Sequence, residues 1–179
     1  KLNKGMVALA VITVIAIIGF SYYTKDRPVT KYDWDGTDIV FRDDLRLARN
    51  VSVYPDENSV YSQIWHPDIY RVKIAYVPTK EPSADNGALA TNVFEIRFKL
   101  DLAYARQQWG NQFSTAELES YDDISFANDT LVIALVRPSL SDTNAVEQKG
   151  NIVYIKGMTQ KDLDLATIKF LMIAMNITI

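Results

Sequence analysis

Few residues of this chain are of the types that perform chemistry, and their spacing limits what that chemistry could be. His66 is the one histidine and there are no cysteines, so Cys–His nucleophiles, imidazole clusters and thiolate metal sites cannot be assembled. His66 precedes Pro67 and is interpreted as a turn residue. The seven glycines show no GxGxxG or P-loop spacing, so no phosphate cradle is predicted. We therefore predict a protein that is not an enzyme and has no cofactor; an anchored glycoside hydrolase with two acids is the enzymatic alternative.

One acidic segment has the composition of a metal site. Asp33, Asp35 and Asp38 surround Gly36, and carboxylates at such spacing can wrap a hard cation such as calcium with oxygen ligands. The spacing differs from that of an EF-hand loop and lacks its distal Glu. A solvated loop accounts for the same residues, so calcium at Asp33, Asp35 and Asp38 is a hypothesis with a simpler alternative.

The strongest signal of the sequence is an uncharged run from Met6 to Tyr23 behind a short basic head. A helix that spans the hydrocarbon core needs roughly 17–25 apolar residues, and the run reaches this length. It predicts a single-pass membrane anchor within residues 1–23, in contact with membrane lipid. The anchor residues include Met6, Val11, Ile15, Ile18, Phe20 and Tyr22.

Three other interpretations of this run are open. A cleaved secretory signal would have a shorter apolar core and a small-residue cleavage site, and a buried helix would normally carry a polar stripe. Lys4-Gly5 before the apolar run resembles the processing site of archaeal type IV pilins, where cleavage follows the Gly. This resemblance implies a filament subunit whose helix packs in a fibre core, but the polar residue that pilins usually keep early in the mature helix is missing.

The sequence favours an external position for the part that follows the anchor. Three triplets, at Asn50, Asn128 and Asn176, match the acceptor pattern for N-glycosylation, and a short head before a large carboxy-terminal domain is typical of a signal anchor. The flanking lysines and arginines are nearly balanced, so they do not set the orientation. The net charge of −3 argues against nucleic acid as a partner.

The elements predict an α/β sandwich with a mixed, partly parallel sheet. Residues 24–38 lack apolar periodicity and predict a stalk, and residues 39–179 predict one domain. A helix is predicted over 41–49 and another over 59–65. The predicted strands cover 51–54, 70–77, 131–136 and 152–155, and the last of these is followed by a helix with Thr159 as N-cap and Asp162 reaching back.

The stretch 88–109 is ambiguous. Phe94, Ile96, Phe98 and Leu100 alternate with charged residues as in a strand, whereas Leu89, Val93, Ile96 and Leu100 keep helical spacing. Helix formers dominate the second half, and Gly110 is placed as a C′ residue. We predict a helix because it completes a strand–helix–strand unit.

The carboxy-terminal pattern carries a second resemblance. Residues 150–157, a Thr-initiated turn and the apolar helix after Asp162 are similar to the last elements of uncharacterised archaeal single-pass surface proteins. The resemblance covers about thirty residues and implies an exported setting without an activity. We expect a membrane-anchored surface subunit that assembles with other protein subunits as a homo-oligomer, with the pilin-like filament subunit as the alternative.

Overall fold

The computed structural model describes residues 29–125 and 127–179, and its contacts divide the chain into two compact units, 1–43 and 44–179. The predicted anchor, residues 1–23 with all its named positions, lies outside the described residues. Within the described ranges, no helix is long and apolar enough to cross a membrane.

The described part of the first unit is a β-hairpin. Strands β1 (Thr30–Trp34) and β2 (Thr37–Phe41) pair antiparallel around a two-residue turn. Asp35 and Gly36 have φ angles of 49° and 82°, as a type I′ turn requires, and Asp-Gly is a preferred pair for it. Strands β1 and β2 therefore lie partly within residues 24–38, the stretch that was predicted as a stalk.

The second unit, 44–179, contains the main sheet and all the described α-helices. The strands are β3 (Ser52–Tyr54), β4 (Arg71–Tyr76), β5 (Gln112–Glu117), β6 (Thr130–Val136), β7 (Ala145–Lys149) and β8 (Ile152–Lys156). The helices are α1 (Leu45–Ala48), α2 (Glu57–Ile64), α3 (Ala84–Arg106) and α4 (Gln160–Ala174), and short 3₁₀ turns cover Tyr121–Asp123 and Pro138–Leu140.

The six strands form a mixed sheet in the order β3-β7-β8-β6-β4-β5. Every neighbouring pair is parallel except the β7–β8 hairpin, whose turn begins at Gly150 with φ 57°. Register places Ile74 beside Ile133, and Ile133 beside Val153, and all three are fully buried. The prediction of an α/β domain with a partly parallel sheet is confirmed.

The two long helices share one face of this sheet. Helix α3 packs on β4, β5 and β6, α4 packs on β7 and β8, and the helices contact each other. Helix α3 links the adjacent parallel strands β4 and β5. It therefore belongs to a strand–helix–strand unit as predicted, but the strand that follows it is β5, which was not predicted. The apolar core lies between this helical layer and the buried side of the sheet.

Two local predictions need correction. Phe41 ends strand β2 and does not begin a helix, because the side chain of Asp44 accepts a hydrogen bond from the Arg46 amide (2.8 Å) and starts α1 at Leu45. Gly110 is not the C′ residue of α3. The helix ends at Arg106, and the left-handed conformation falls on Gln108 with φ 58°.

Candidate functional site

Helix α3 is the longest described element, and its ends show why it forms as a helix. The Ser83 hydroxyl accepts a hydrogen bond from the Asn86 amide (3.3 Å), and Asp85 adds a negative charge to the first turn. Arg106 stands in the last turn, where a cation is favourable. The inner face consists of Ala88, Leu89, Ile96, Leu100, Ala103 and Tyr104, all of them buried.

Buried polar contacts set the rotation of α3 about its axis. Asn92 donates hydrogen bonds to the Asp164 carboxylate of α4 (2.7 Å) and to the Ala88 carbonyl oxygen (2.9 Å). Two turns further along α3, Lys99 is buried and forms an ion pair with Glu95. Since a buried polar group that loses its partner is costly, the Asn92–Asp164 bond between the two helices opposes any rotation of α3 that would bring a different face outward.

The opposite face of α3 carries two phenylalanines in solvent. Phe94 is 61% exposed and Phe98 is 59% exposed. Their rings are stacked, with centroids 6.1 Å apart and planes 8° from parallel. The other exposed residues on this face are Gly87, Ala90, Arg97, Asp101 and Ala105. We call these seven residues the α3 stripe.

Aromatic packing holds the carboxy-terminal end of α3 in place. The Tyr104 ring lies 4.7 Å from Trp65 and is stacked with Trp109, and the Tyr104 hydroxyl donates to the Ile64 carbonyl oxygen (2.7 Å). The Trp65 indole nitrogen donates to the carbonyl oxygen of Ala174 in α4 (2.9 Å). Burial raises the pKa of the Tyr104 phenol above its ordinary value. The α3 stripe is therefore carried by a rigid helix.

Two open clefts lie at opposite ends of the parallel strands. The larger, about 520 Å³, is at the carboxyl ends of β4 and β5 and is lined in part by Thr79, Lys80 and Glu119. At its edge Tyr76 donates to Glu117 (2.8 Å), and burial together with this bond raises the pKa of Tyr76 to about 12. A ligand in an open α/β sheet usually binds at such carboxyl ends.

The smaller cleft, about 340 Å³, includes His66. The Asp68 amide donates to Nδ1 of His66 (3.3 Å), and the Asp68 carboxylate lies 3.8 Å from the same nitrogen. This local loop contact is consistent with the interpretation of His66 as a turn residue.

The structure does not assemble the acids predicted to bind calcium. Asp33 and Asp38 face each other across the hairpin, and Asp35 lies in its turn. The Asp33 carboxylate accepts a hydrogen bond from the Gly36 amide (2.6 Å), so it serves the turn. Among the described residues, no three His, Cys, Asp or Glu side chains are placed to hold a metal ion.

All three predicted glycosylation asparagines are exposed and lie in turns. Asn50 follows α1, Asn128 precedes β6 and Asn176 follows α4. Asn176 is exposed although it directly follows the buried end of α4, and its φ is 53°. Thr130 of the second triplet is buried as the first residue of β6.

Comparison with known proteins adds no relative. No family model matches the chain, and no curated protein or solved structure matches it with significance.

The α3 stripe could have been found in the sequence. Phe94 and Phe98 are the residues that produced the strand-like alternation over 94–102, because they are apolar at positions where the helical period points outward. Two neighbouring bulky apolar residues on the solvent-facing side of a helix indicate a binding face.

Proposed function

We propose that this protein is a membrane-anchored surface subunit whose α/β domain assembles with other protein chains through the α3 stripe. The observation that carries the proposal is the stacked and solvent-exposed pair Phe94 and Phe98 on a rigidly held helix. The uncharged run from Met6 to Tyr23 supports the anchor.

An exposed phenylalanine pair has a physical cost that a binding role would offset. Each side chain leaves more than half of its apolar surface in water, and burying that surface against a partner is favourable by about 25 cal/mol per Å². Aromatic residues are enriched at protein interfaces and form many of their energetic hot spots. A flat exposed helix face suits a protein partner better than a small molecule, which needs a concave site.

The proposal places the domain outside the cell. The three acceptor asparagines are accessible in turns, and the carboxy-terminal pattern resembles archaeal surface proteins. Native protein should therefore carry glycan at Asn50 and Asn176, since both asparagines and their hydroxyl partners Ser52 and Thr178 are exposed. An intact mass equal to that of the bare polypeptide, from cells shown to glycosylate another protein, would contradict the external position.

Photo-crosslinking in native membranes tests the binding face. A photoreactive amino acid replaces Phe94 in the full chain, and a matched variant carries it at Tyr70, which is 60% exposed. We expect a discrete protein adduct from position 94 and a much lower yield from position 70. Adducts only with lipid at position 94, or equal yields at the two positions, would overturn the assignment of the α3 stripe.

The pilin-like filament subunit is the second candidate, because Lys4-Gly5 precedes the apolar run. Amino-terminal sequencing of the native chain distinguishes the two. A mature chain that begins at Met6 would favour the filament subunit, and a chain that keeps Lys4-Gly5 would favour the uncleaved anchor.

A further inference from the structure

The smaller cleft brings polar side chains together at the end of the sheet where β4, β6 and β8 begin. The loop before β4 contributes His66, Asp68 and Tyr70, and the segments before β6 and β8 contribute Asn128 and Asn151. The three strands are parallel neighbours, so their amino ends lie side by side. The volume of about 340 Å³ is in the range of small-molecule sites.

The side-chain amides of this cleft are linked to one another. The Gln148 amide donates to Oε1 of Gln63 (3.5 Å), and Nε2 of Gln63 donates to Oδ1 of Asn151 (3.2 Å). Nδ2 of Asn151 donates in turn to the Asn128 carbonyl oxygen (2.9 Å). Because an amide nitrogen has two hydrogens, Gln63 and Asn151 each keep a second N–H for a ligand. The bonds orient these amides before a ligand binds, and such preorganisation favours affinity.

Other groups of the cleft have no partner in the described part of the chain. The Asp68 amide donates to Nδ1 of His66, so the neutral imidazole carries its proton on Nε2. No described residue accepts from that nitrogen or bonds to the Tyr70 hydroxyl or the Asn128 side-chain amide. The cleft therefore presents both donors and acceptors. Since a hydroxyl group donates one hydrogen bond and accepts up to two, a ligand with several hydroxyls can pair with both kinds of group.

We propose that this cleft binds a neutral saccharide through its amides, the His66 imidazole and the ring of Tyr70. Tyr70 is 60% exposed, and a tyrosine has an apolar ring with a polar tip. The ring can cover the C–H face of a sugar while the polar groups bond its hydroxyls. This inference goes beyond the proposed function and does not rest on it, because none of the seven described residues of the α3 stripe lines the cleft.

The lining of the cleft argues against the other common classes of ligand. An anion would meet the open carboxylate of Asp68, and the nearby cation Arg71 is paired with Asp129 (3.3 Å). An apolar ligand would find few partners, since Ile69 is the one aliphatic side chain among the described lining residues. A metal ion would need several ligating side chains, and the described residues place no three of them together.

Binding of neutral methyl glycosides to the full chain tests the proposal. The probes are the methyl glycosides of glucose, galactose, mannose and N-acetylglucosamine. The detergent is zwitterionic, because a detergent with a sugar headgroup would compete for the cleft. Saturation-transfer NMR detects the binding, and isothermal titration calorimetry measures the dissociation constant. We expect at least one glycoside to bind in the millimolar range, as a small open site with few contacts allows.

Two pairs of matched variants locate the bound glycoside. Tyr70→Ala removes the aromatic ring and Asn128→Ala removes a free amide, and each should weaken binding about tenfold. Tyr54→Ala and Asn58→Ala are the controls and should leave binding unchanged, since neither residue lines the cleft. All four side chains are exposed, so the fold should be retained, and thermal melts of the variants check this.

Three results would overturn the inference. The first is the absence of glycoside binding by both methods. The second is binding that Tyr70→Ala and Asn128→Ala leave unchanged, which would place the sugar elsewhere on the protein. The third is tighter binding of choline or spermidine than of every glycoside, which would assign the cleft to an organic cation at Asp68. None of these results bears on the photo-adduct at position 94, so failure of this inference is distinguishable from failure of the proposed function.

Discussion

Helices α3 and α4 pack side by side in one layer, yet they use their surfaces in opposite ways. Every residue of α4 from Ala166 to Ala174 is buried, including Lys169. Helix α3 buries one face and leaves Phe94 and Phe98 in solvent. A helix buried on its whole circumference serves the core, whereas an exposed apolar face on a well-capped helix is available to a partner. Helix α4 therefore contributes to stability, and α3 carries the binding face that we propose.

The largest expected effect comes from matched phenylalanines on the two helices. Phe170 of α4 is fully buried, so Phe170→Ala should lower the free energy of unfolding by about 3–5 kcal/mol through lost burial and a cavity. Phe94→Ala should change it by less than about 0.5 kcal/mol. Urea unfolding of the full chain in detergent, followed by tryptophan fluorescence at low protein concentration, measures both. Equal losses of unfolding free energy in the two variants would contradict the different roles given to α4 and α3.

The second contrast is between Gly157, just before α4, and Gly87, within α3, which differ in the space around them. A Cβ at Gly157 would collide with the backbone of Asp162 and Leu163 at the start of α4, so Gly157→Ala should destabilise the domain by about 1–3 kcal/mol. A Cβ at Gly87 in α3 meets no atom within 4 Å. Gly87→Ala should therefore stabilise the domain by up to about 1 kcal/mol through helix propensity. Thermal melts of both variants should shift in opposite directions, and shifts of the same sign would contradict this account.

The contact between the helices should be sensitive to its buried hydrogen bond. Asn92→Leu leaves the Asp164 carboxylate without this donor and should cost about 1–3 kcal/mol. Asp164→Leu should cost a similar amount, and the double variant should cost less than the sum. A double-mutant cycle from denaturant unfolding measures the coupling. Strict additivity would show that the bond does not couple α3 to α4.

The smallest effect concerns the end of α3. Burial raises the pKa of the Tyr104 phenol above its ordinary value of 10.0, so this group ionises more easily in the unfolded chain. Its contribution to stability is complete below pH 10 and is lost as the pH rises further. Tyr104→Phe should cost about 1 kcal/mol at neutral pH, because the Ile64 carbonyl loses a donor. It should also make the alkaline decline less steep, and unfolding curves at pH 8 and pH 11 test this.

Local signals were sufficient for some elements. The reciprocal cap of Thr159 and Asp162 marked the start of α4, and the continuous apolar run of β6 marked a central strand that is buried at every position. In each case the chemistry that forms the element lies within a few consecutive residues. The Asp-Gly turn of the β1–β2 hairpin is equally local, but it was assigned to a stalk and a metal loop because its flanking strands are half exposed.

Other strands could not be recognised from their own residues. Strand β5, from Gln112 to Glu117, is a polar edge strand, and β7, from Ala145 to Lys149, is also largely polar. Neither has the β-branched run or the alternation that indicates a strand. Their backbones are ordered by the partners β4 and β8, so the information for them is in the neighbouring strands.

The sequence by itself determined the α/β class, the core elements β6 and α4, and the uncharged amino-terminal run, because periodicity and capping act over short distances. The tertiary structure decided which face of α3 is buried. Residues 94–102 fit both a strand-like and a helical pattern. The tertiary hydrogen bonds from Asn92 to Asp164 and from Tyr104 to Ile64 decide between the two patterns. Those contacts join residues far apart in the chain, and they leave Phe94 and Phe98 outside because the inner face is already filled.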